Sequence, residues 1–268
     1  MEMFLKAAAV VGAVVLAAAV GLTLLPRLGR PGRFLADVCA RAPMLDVVFA
    51  SLSWVPWLAA GLAAGWAGVA GALVGQVAAV LLWTAGHELA HPAARRGSRL
   101  YKAHHRIVGT WRNHAALWFS IGAIVPLWGV RFGEILLYAP LRWLLGFPPY
   151  RHGDWVMVSR HKFNGLVGHD LLWCLWCDWM TGVYSLAGEM LRNVESFWCP
   201  IRFYDLKKCE NCRVDFPDID QWVPADGTMA EAEDIILRFY ADGRREWFGH
   251  PARLTVEGKR PPGPASPD

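Results

Sequence analysis

Five of the nine histidines fall between His87 and His114, in the stretch GHELAHPAARRGSRLYKAHHRIVGTWRNH that follows a long apolar run. His87 and His91 are four residues apart, so a helix places them one turn apart on one face. His104 and His105 come next, and His114 closes the group. Neutral imidazole is the commonest transition-metal ligand. Packing gives no reason for so many imidazoles beside an apolar run, so the group points to a metal site. His152, His161 and His169 bring the total between residues 87 and 169 to eight. His250, in W-F-G-H-P, stands apart and reads as structural.

His87-Glu88-Leu89-Ala90-His91 fits H-E-x-x-H, a spacing with two chemical meanings. In a zinc peptidase the two histidines bind the metal and Glu88 is the general base that activates the zinc-bound water. That use engages only two or three of the eight histidines. In a membrane di-iron enzyme the same spacing is one of several histidine boxes that jointly hold two irons, and nearly all eight are then engaged. Solvated histidines, or histidines binding lipid headgroups, are the plainer alternative.

The chain resembles the membrane superfamily of fatty-acid hydroxylases, sterol desaturases and alkane hydroxylases. His87-Glu88-Leu89-Ala90-His91 looks like its first histidine box. Tyr101-Lys102-Ala103-His104-His105 looks like its H-x-x-H-H box, with Tyr101 in place of the first histidine. The later histidines, His152, His161 and His169, form no intact box. The resemblance implies a non-haem di-iron oxygenase, hydroxylase or desaturase, acting on a hydrophobic, lipid-like substrate. It implies iron ligation by His87, His91, His104, His105, His114, His152, His161 and His169. Glu88 would assist the site, and a separate protein would donate electrons. A zinc-dependent intramembrane peptidase and a non-enzymatic metal-binding membrane subunit or assembly factor remain as other readings.

A second set is built from sulfur. Cys174-Leu-Trp-Cys177 and Cys209-Glu-Asn-Cys212 are C-x-x-C pairs separated by thirty-one residues, with Cys199-Pro200 between them. Two such pairs suit zinc or a single iron, held tetrahedrally through four thiolates. Lys207, Lys208 and Arg213 flank the second pair and favour thiolate there. Cys174 and Cys177 sit in L-L-W-C-L-W-C-D-W, where a cysteine also serves as a small apolar residue.

These side chains need a membrane scaffold to position them. Hydrophobic residues make up 54% of the 268. Ala7 to Leu25 is an uncharged run able to cross a bilayer core of roughly 30 Å, and it reads as an uncleaved anchor because Arg27, Arg30 and Arg33 follow. Leu45 to Gly86 suits two spans turning near Gly61, Gly65, Gly68 and Gly71. Ala115 to Phe147 is interrupted by Pro126, Arg131, Glu134, Pro140 and Arg142, which suggests a short hairpin or an interfacial helix pair.

The basic stretch from Arg95 to Arg112 contains no acid, which places it, the histidine segment and the C-terminal half in the cytoplasm of an inner or plasma membrane. Trp173, Trp176 and Trp179 recur every third residue and suit an interfacial belt, packing on the first domain, or docking of a membrane protein partner. Thr228-Met-Ala-Glu231 reads as a capping box opening a helix to about Tyr240.

The expected class is mostly α. It comprises an integral membrane helical domain and a C-terminal cytoplasmic, Trp- and Cys-rich domain of α+β or irregular structure. The expected segments are an anchor and transmembrane hairpin over 1–86, a histidine-rich segment over 87–114 and a second hydrophobic region over 115–148. A Trp/Cys-rich domain over 149–258 and a disordered tail over 259–268 complete it. The net charge of +4 hides an acidic stretch between Asp205 and Asp234. Bases cluster beside apolar segments, which suits lipid headgroups, and no basic helix or aromatic signature for nucleic acid is present.

Overall fold

A computed structural model describes residues 1–163, 165–201 and 222–241. Cys209, Cys212, His250 and the expected tail lie outside the described residues. Among the described residues the chain is helical with no strand, and two isolated bridges join Arg41 to Met157 and Ile201 to Val223. Three stretches are long and apolar enough to cross a membrane: Glu2–Arg27, Trp54–Ala90 and Thr110–Leu145. The chain divides into two compact units, Met1–Val125 with His152–Gly182, and Pro126–Arg151 with Val183–Asp268.

The first unit is built on helices α1 (Glu2–Leu24), α2 (Gly29–Cys39), α3 (Met44–Leu52) and α4 (Trp54–Ala90). Helix α4 reverses at Ala64 and Gly65, where Gly65 takes φ +60°, a conformation that glycine adopts without steric cost. A Cβ on Gly68 would stand 2.0 Å from the Ala60 carbonyl oxygen, so the two arms meet at the turn. The hairpin expected among these glycines is therefore present, with Gly65 as its pivot.

The incoming half of that hairpin is broken. Helix α3 and the arm 54–63 are separated by Ser53, whose φ −117° and ψ −98° interrupt the helix. Gln76 on the returning arm repairs the break. Its Nε2 donates to the carbonyls of Leu52 at 3.1 Å and Ser53 at 2.7 Å, and its Oε1 accepts from Trp57 Nε1. An unsatisfied carbonyl costs several kcal/mol in lipid, so one buried amide makes a discontinuous span tenable.

Helix α1 runs parallel to the arm 66–90, with pairs ascending together. A Cβ on Gly71 would meet Phe4 O at 2.4 Å, one on Gly75 would meet Ala8 O at 2.3 Å, and Trp83 Nε1 donates to Thr23 Oγ1 at 3.0 Å. Small residues thus let the two backbones touch, as in membrane helix pairs generally. Residues 25–43 and 91–114 consequently emerge at the same end.

Helix α11 (Gly168–Trp198) begins in this unit. Trp179, fully buried, stacks on Phe49 with ring centroids 4.4 Å apart, and Trp176 lies 6.4 Å from the same ring. Of the roles expected for the Trp series, packing on the membrane helices describes these two. The segment between α10 (His152–Trp155) and α11 is tied on both sides. Ala42 and Val158 exchange backbone bonds with Val156 and Ala40, while Arg160 Nε pairs with Asp178 Oδ1 at 3.0 Å.

From Thr110 to Leu145 the backbone stays helical through α7 (Thr110–Ser120), α8 (Ile124–Phe132) and α9 (Tyr138–Leu145). No hairpin forms there. A 3-10 turn at Ile121–Ala123 and a π turn at Gly133–Leu137 precede Pro126 and Pro140. Each turn falls where a proline removes the bond to the carbonyl four residues back, so the irregular turns absorb the prolines without a reversal. In the second unit Asn193 Nδ2 donates to the Tyr150 hydroxyl at 2.5 Å and to the Glu189 carbonyl at 3.2 Å. Helix α12 (Met229–Phe239) opens on the expected capping box between Thr228 and Glu231.

Candidate metal centre

His87, Glu88 and His91 occupy the C-terminal end of α4. The helix stops at Ala90 because Pro92 has no N–H to continue it, and Pro92 instead opens the short helix α5 (Pro92–Arg96). The His87 and His91 rings stack with centroids 4.4 Å apart, and Trp83 lies 5.0 Å from His87.

Their hydrogen bonds assign opposite tautomers to the neutral rings. His91 Nδ1 lies 2.8 Å from the His87 carbonyl and must donate, which leaves Nε2 with its lone pair. His87 Nδ1 accepts from the Gly168 N–H at 3.1 Å, so its proton sits on Nε2. The pair therefore does not offer two Nε2 lone pairs to one ion in this arrangement.

Glu88 is engaged elsewhere. Its Oε1 accepts from Arg99 Nη2 at 2.7 Å and from the His169 N–H at 3.3 Å. Gly168, at φ +50°, permits this approach, since a Cβ there would stand 2.2 Å from Glu88 Cγ. The carboxylate thus sits at the N-terminus of α11, where exposed N–H groups favour an anion.

Arg99 precedes α6 (Leu100–Val108) and is buried. Its Nε donates to Asp170 Oδ2 at 2.7 Å and its Nη2 to the Val167 carbonyl at 3.1 Å. Asp170 also accepts from the N–H groups of Leu100 and Tyr101, so it caps α6 from another helix. Burial alone would raise the Asp170 pKa. The bonds from Arg99 and the Tyr101 N–H overrule it and hold the carboxyl at about 2. Neither Arg99 nor Asp170 is marked by a sequence motif. Their only trace is an arginine one residue before a helix start and an aspartate beside a histidine.

A second imidazole group lies beyond this network. Tyr101 stands 5.2 Å from the His105 ring and 5.4 Å from His169, and His114 stands 4.8 Å from His105 and 5.5 Å from His169. His169 Nε2 accepts from Trp173 Nε1 at 3.1 Å, which orients the ring. His105 Nε2 and His169 Nδ1 are buried with no hydrogen-bond partner. His169 Nδ1 is 3.8 Å from Asp170 Oδ1, beyond hydrogen-bond reach.

Imidazoles sharing one ion through nitrogens about 2.1 Å from it have centroids roughly 4.5–5.2 Å apart. The His105–His114 spacing falls in that range and the orphaned His105 Nε2 suits ligation. The 5.5 Å between His114 and His169 lies outside it, and the neutral His169 ring, accepting at Nε2 from Trp173, carries its proton on Nδ1. Among the described residues no three His, Cys, Asp or Glu side chains converge as a ready-made ligand set. The ring contacts place five of the eight expected ligands in two separate groups, the pair His87 and His91 and the set His105, His114 and His169. His104 and His161 are exposed, and His152 lies in α10.

Of the sulfur set, Cys174 and Cys177 are free and half-buried on α11, with Cys177 Sγ 3.9 Å from Thr181 Oγ1. Burial pushes the Cys174 thiol up despite the neighbouring Arg160. Its proposed partners Cys209 and Cys212 lie outside the described residues. No protein-family model, curated protein or solved structure matches the chain.

Proposed function

We propose that the chain is a membrane-bound, non-haem iron oxidoreductase that acts on a hydrophobic, lipid-like substrate and draws electrons from a separate donor protein. The observation that carries it is two imidazole groups, His87 with His91 and His105 with His114 and His169, at one end of the membrane helices. In this reading the site faces the cytoplasm. Bound iron would supply the activation of dioxygen.

The chain's own residues do the rest. His91 Nε2 and His105 Nε2 are the nitrogens most ready to take a ligand role, one by its tautomer and one by its lack of any partner. Trp173 fixes the His169 ring, and Arg99 with Glu88 and Asp170 locks α4, α6 and α11 in register. Buried partners of this kind govern how well imidazoles hold a metal. The zinc-peptidase reading asks Glu88 to take a proton from water. That carboxylate already accepts from Arg99 and the His169 N–H, so it is occupied as an ion-pair partner.

Element-resolved metal analysis of the full chain, purified without a histidine tag, tests the proposal. At least about one iron per chain is expected. It should be lost in His105→Ala/His114→Ala and kept in His104→Ala. Iron well below that level, or zinc in its place, refutes the proposal.

A further inference from the structure

Helix length and hydropathy qualify Thr110–Leu145 as a further crossing beyond those of α1 and the two arms of α4, but the connections at its two ends forbid one. Thr23 bonded to Trp83 puts residues 25–43 and 91–114 at one end of the membrane helices. His114, on the first turns of this stretch, touches His169. After the stretch, the Gly153 carbonyl accepts from Arg41 at 3.4 Å and Val156 pairs with Ala42, so the chain is back at that same end.

Only eight Cα–Cα steps separate Leu145 from Gly153. Fully extended they reach roughly 26–29 Å, short of a core of about 30 Å. They are not extended, because the Tyr138 hydroxyl holds the Pro148 carbonyl at 3.3 Å and folds the link back along α9. Arg151 would also have to lie in hydrocarbon, at a cost of about 2.5–3.5 kcal/mol or more.

One face of the stretch nevertheless demands lipid. Trp111, Trp118, Val125, Phe132, Leu136 and Trp143 recur at intervals of seven or four. They are 79%, 41%, 70%, 43%, 63% and 83% exposed, in that order. The opposite face buries Leu127, Arg131, Glu134 and Tyr138, with Arg131 paired to Glu134. The apolar stripe is thus the outward one, an arrangement that water does not support.

We propose that Thr110–Leu145 lies along the bilayer surface, its aromatic stripe sunk at the headgroup–acyl boundary, and does not cross. The occupant of the stripe is the lipid surface itself. Tryptophan suits that depth because its ring is apolar and its N–H is wet. A helix lying this way sits about 5–10 Å into the boundary.

Nitroxide labels placed singly at positions 111, 125 and 143, on encoded keto side chains in the full-length protein in liposomes, read the depth directly. Oxygen and a water-soluble nickel chelate serve as the two relaxing agents. All three labels should report one shallow depth. A profile with position 125 near the bilayer centre overturns the proposal. So does relaxation by nickel alone at all three. Reporters fused to the two termini of the otherwise unaltered chain give a second test. Termini on opposite faces agree with three crossings, and termini on one face overturn the proposal.

Discussion

Arg99 and Asp170 are seventy-one residues apart in the chain and 2.7 Å apart in space, with the side chains 1% and 4% exposed. Removing one member leaves the other charged and buried, which costs about 3–5 kcal/mol. Arg99→Ala and Asp170→Ala should therefore each lower the thermal midpoint strongly in detergent or nanodiscs. Arg99→Lys should recover little, because a lysine cannot fork between Asp170, Glu88 and the Val167 carbonyl. A midpoint within a degree or so of wild type for either alanine variant would contradict this.

The same pair makes stability acid-sensitive in a defined window. Asp170 ionises at about 2 when folded, against an ordinary value of 3.8. A depressed carboxyl stabilises the fold above the unfolded value, and that contribution fades as pH falls from about 4 towards 2. Its size is on the order of 2 kcal/mol. The gap in midpoint between wild type and Asp170→Asn should be full near neutral pH and narrow progressively below about pH 4. A constant gap across that range would exclude the mechanism.

Local pattern explains what was legible in the sequence. His87 and His91 stack because helical spacing stacks them. The Gly61 to Gly71 cluster announced a reversal, and Thr228 with Glu231 announced a helix start. Partnerships across the chain were not legible. Arg99 looked like one more solvated cation of a basic loop, since its two carboxylates come from α4 and α11. His104 and His105 looked equivalent as neighbours, yet α6 turns one outward and the other towards His114. Pro126 and Pro140 leave a hairpin and an interfacial helix pair both open, because sequence does not show the 3-10 and π turns that accommodate them. The di-iron reading depended on counting histidines, and a count cannot tell which rings meet.

Gln76 offers a test of the broken span. Gln76→Leu keeps the volume but leaves the Leu52 and Ser53 carbonyls and the Trp57 N–H without their partner. Each buried orphan costs about 1–3 kcal/mol in soluble proteins, and membrane cycles give about 0.6 per bond. A loss of at least about 1 kcal/mol is expected in a reversible unfolding titration. Gln76→Glu should be worse, because a carboxylate has no donor for the two carbonyls. Equal stability of Gln76→Leu and wild type would show that the break is satisfied in another way.

The contact of α1 with the arm 66–90 predicts sharply different costs for two glycines. A Cβ on Gly75 meets the Ala8 carbonyl oxygen at 2.3 Å and the Gly12 nitrogen at 2.9 Å, both backbone atoms that cannot rotate aside. Gly75→Ala must push the helices apart, which also strains the Thr23–Trp83 bond and the end of α4 that bears His87 and His91. Overpacking of this kind typically costs about 1–3 kcal/mol. Gly21 lies on the same α1 with nothing within 4 Å of a Cβ, so Gly21→Ala should gain up to about 1 kcal/mol from helix propensity alone. Midpoints measured side by side in one detergent should therefore move in opposite directions. Parallel behaviour of the two variants would mean that α1 and α4 do not meet through their backbones.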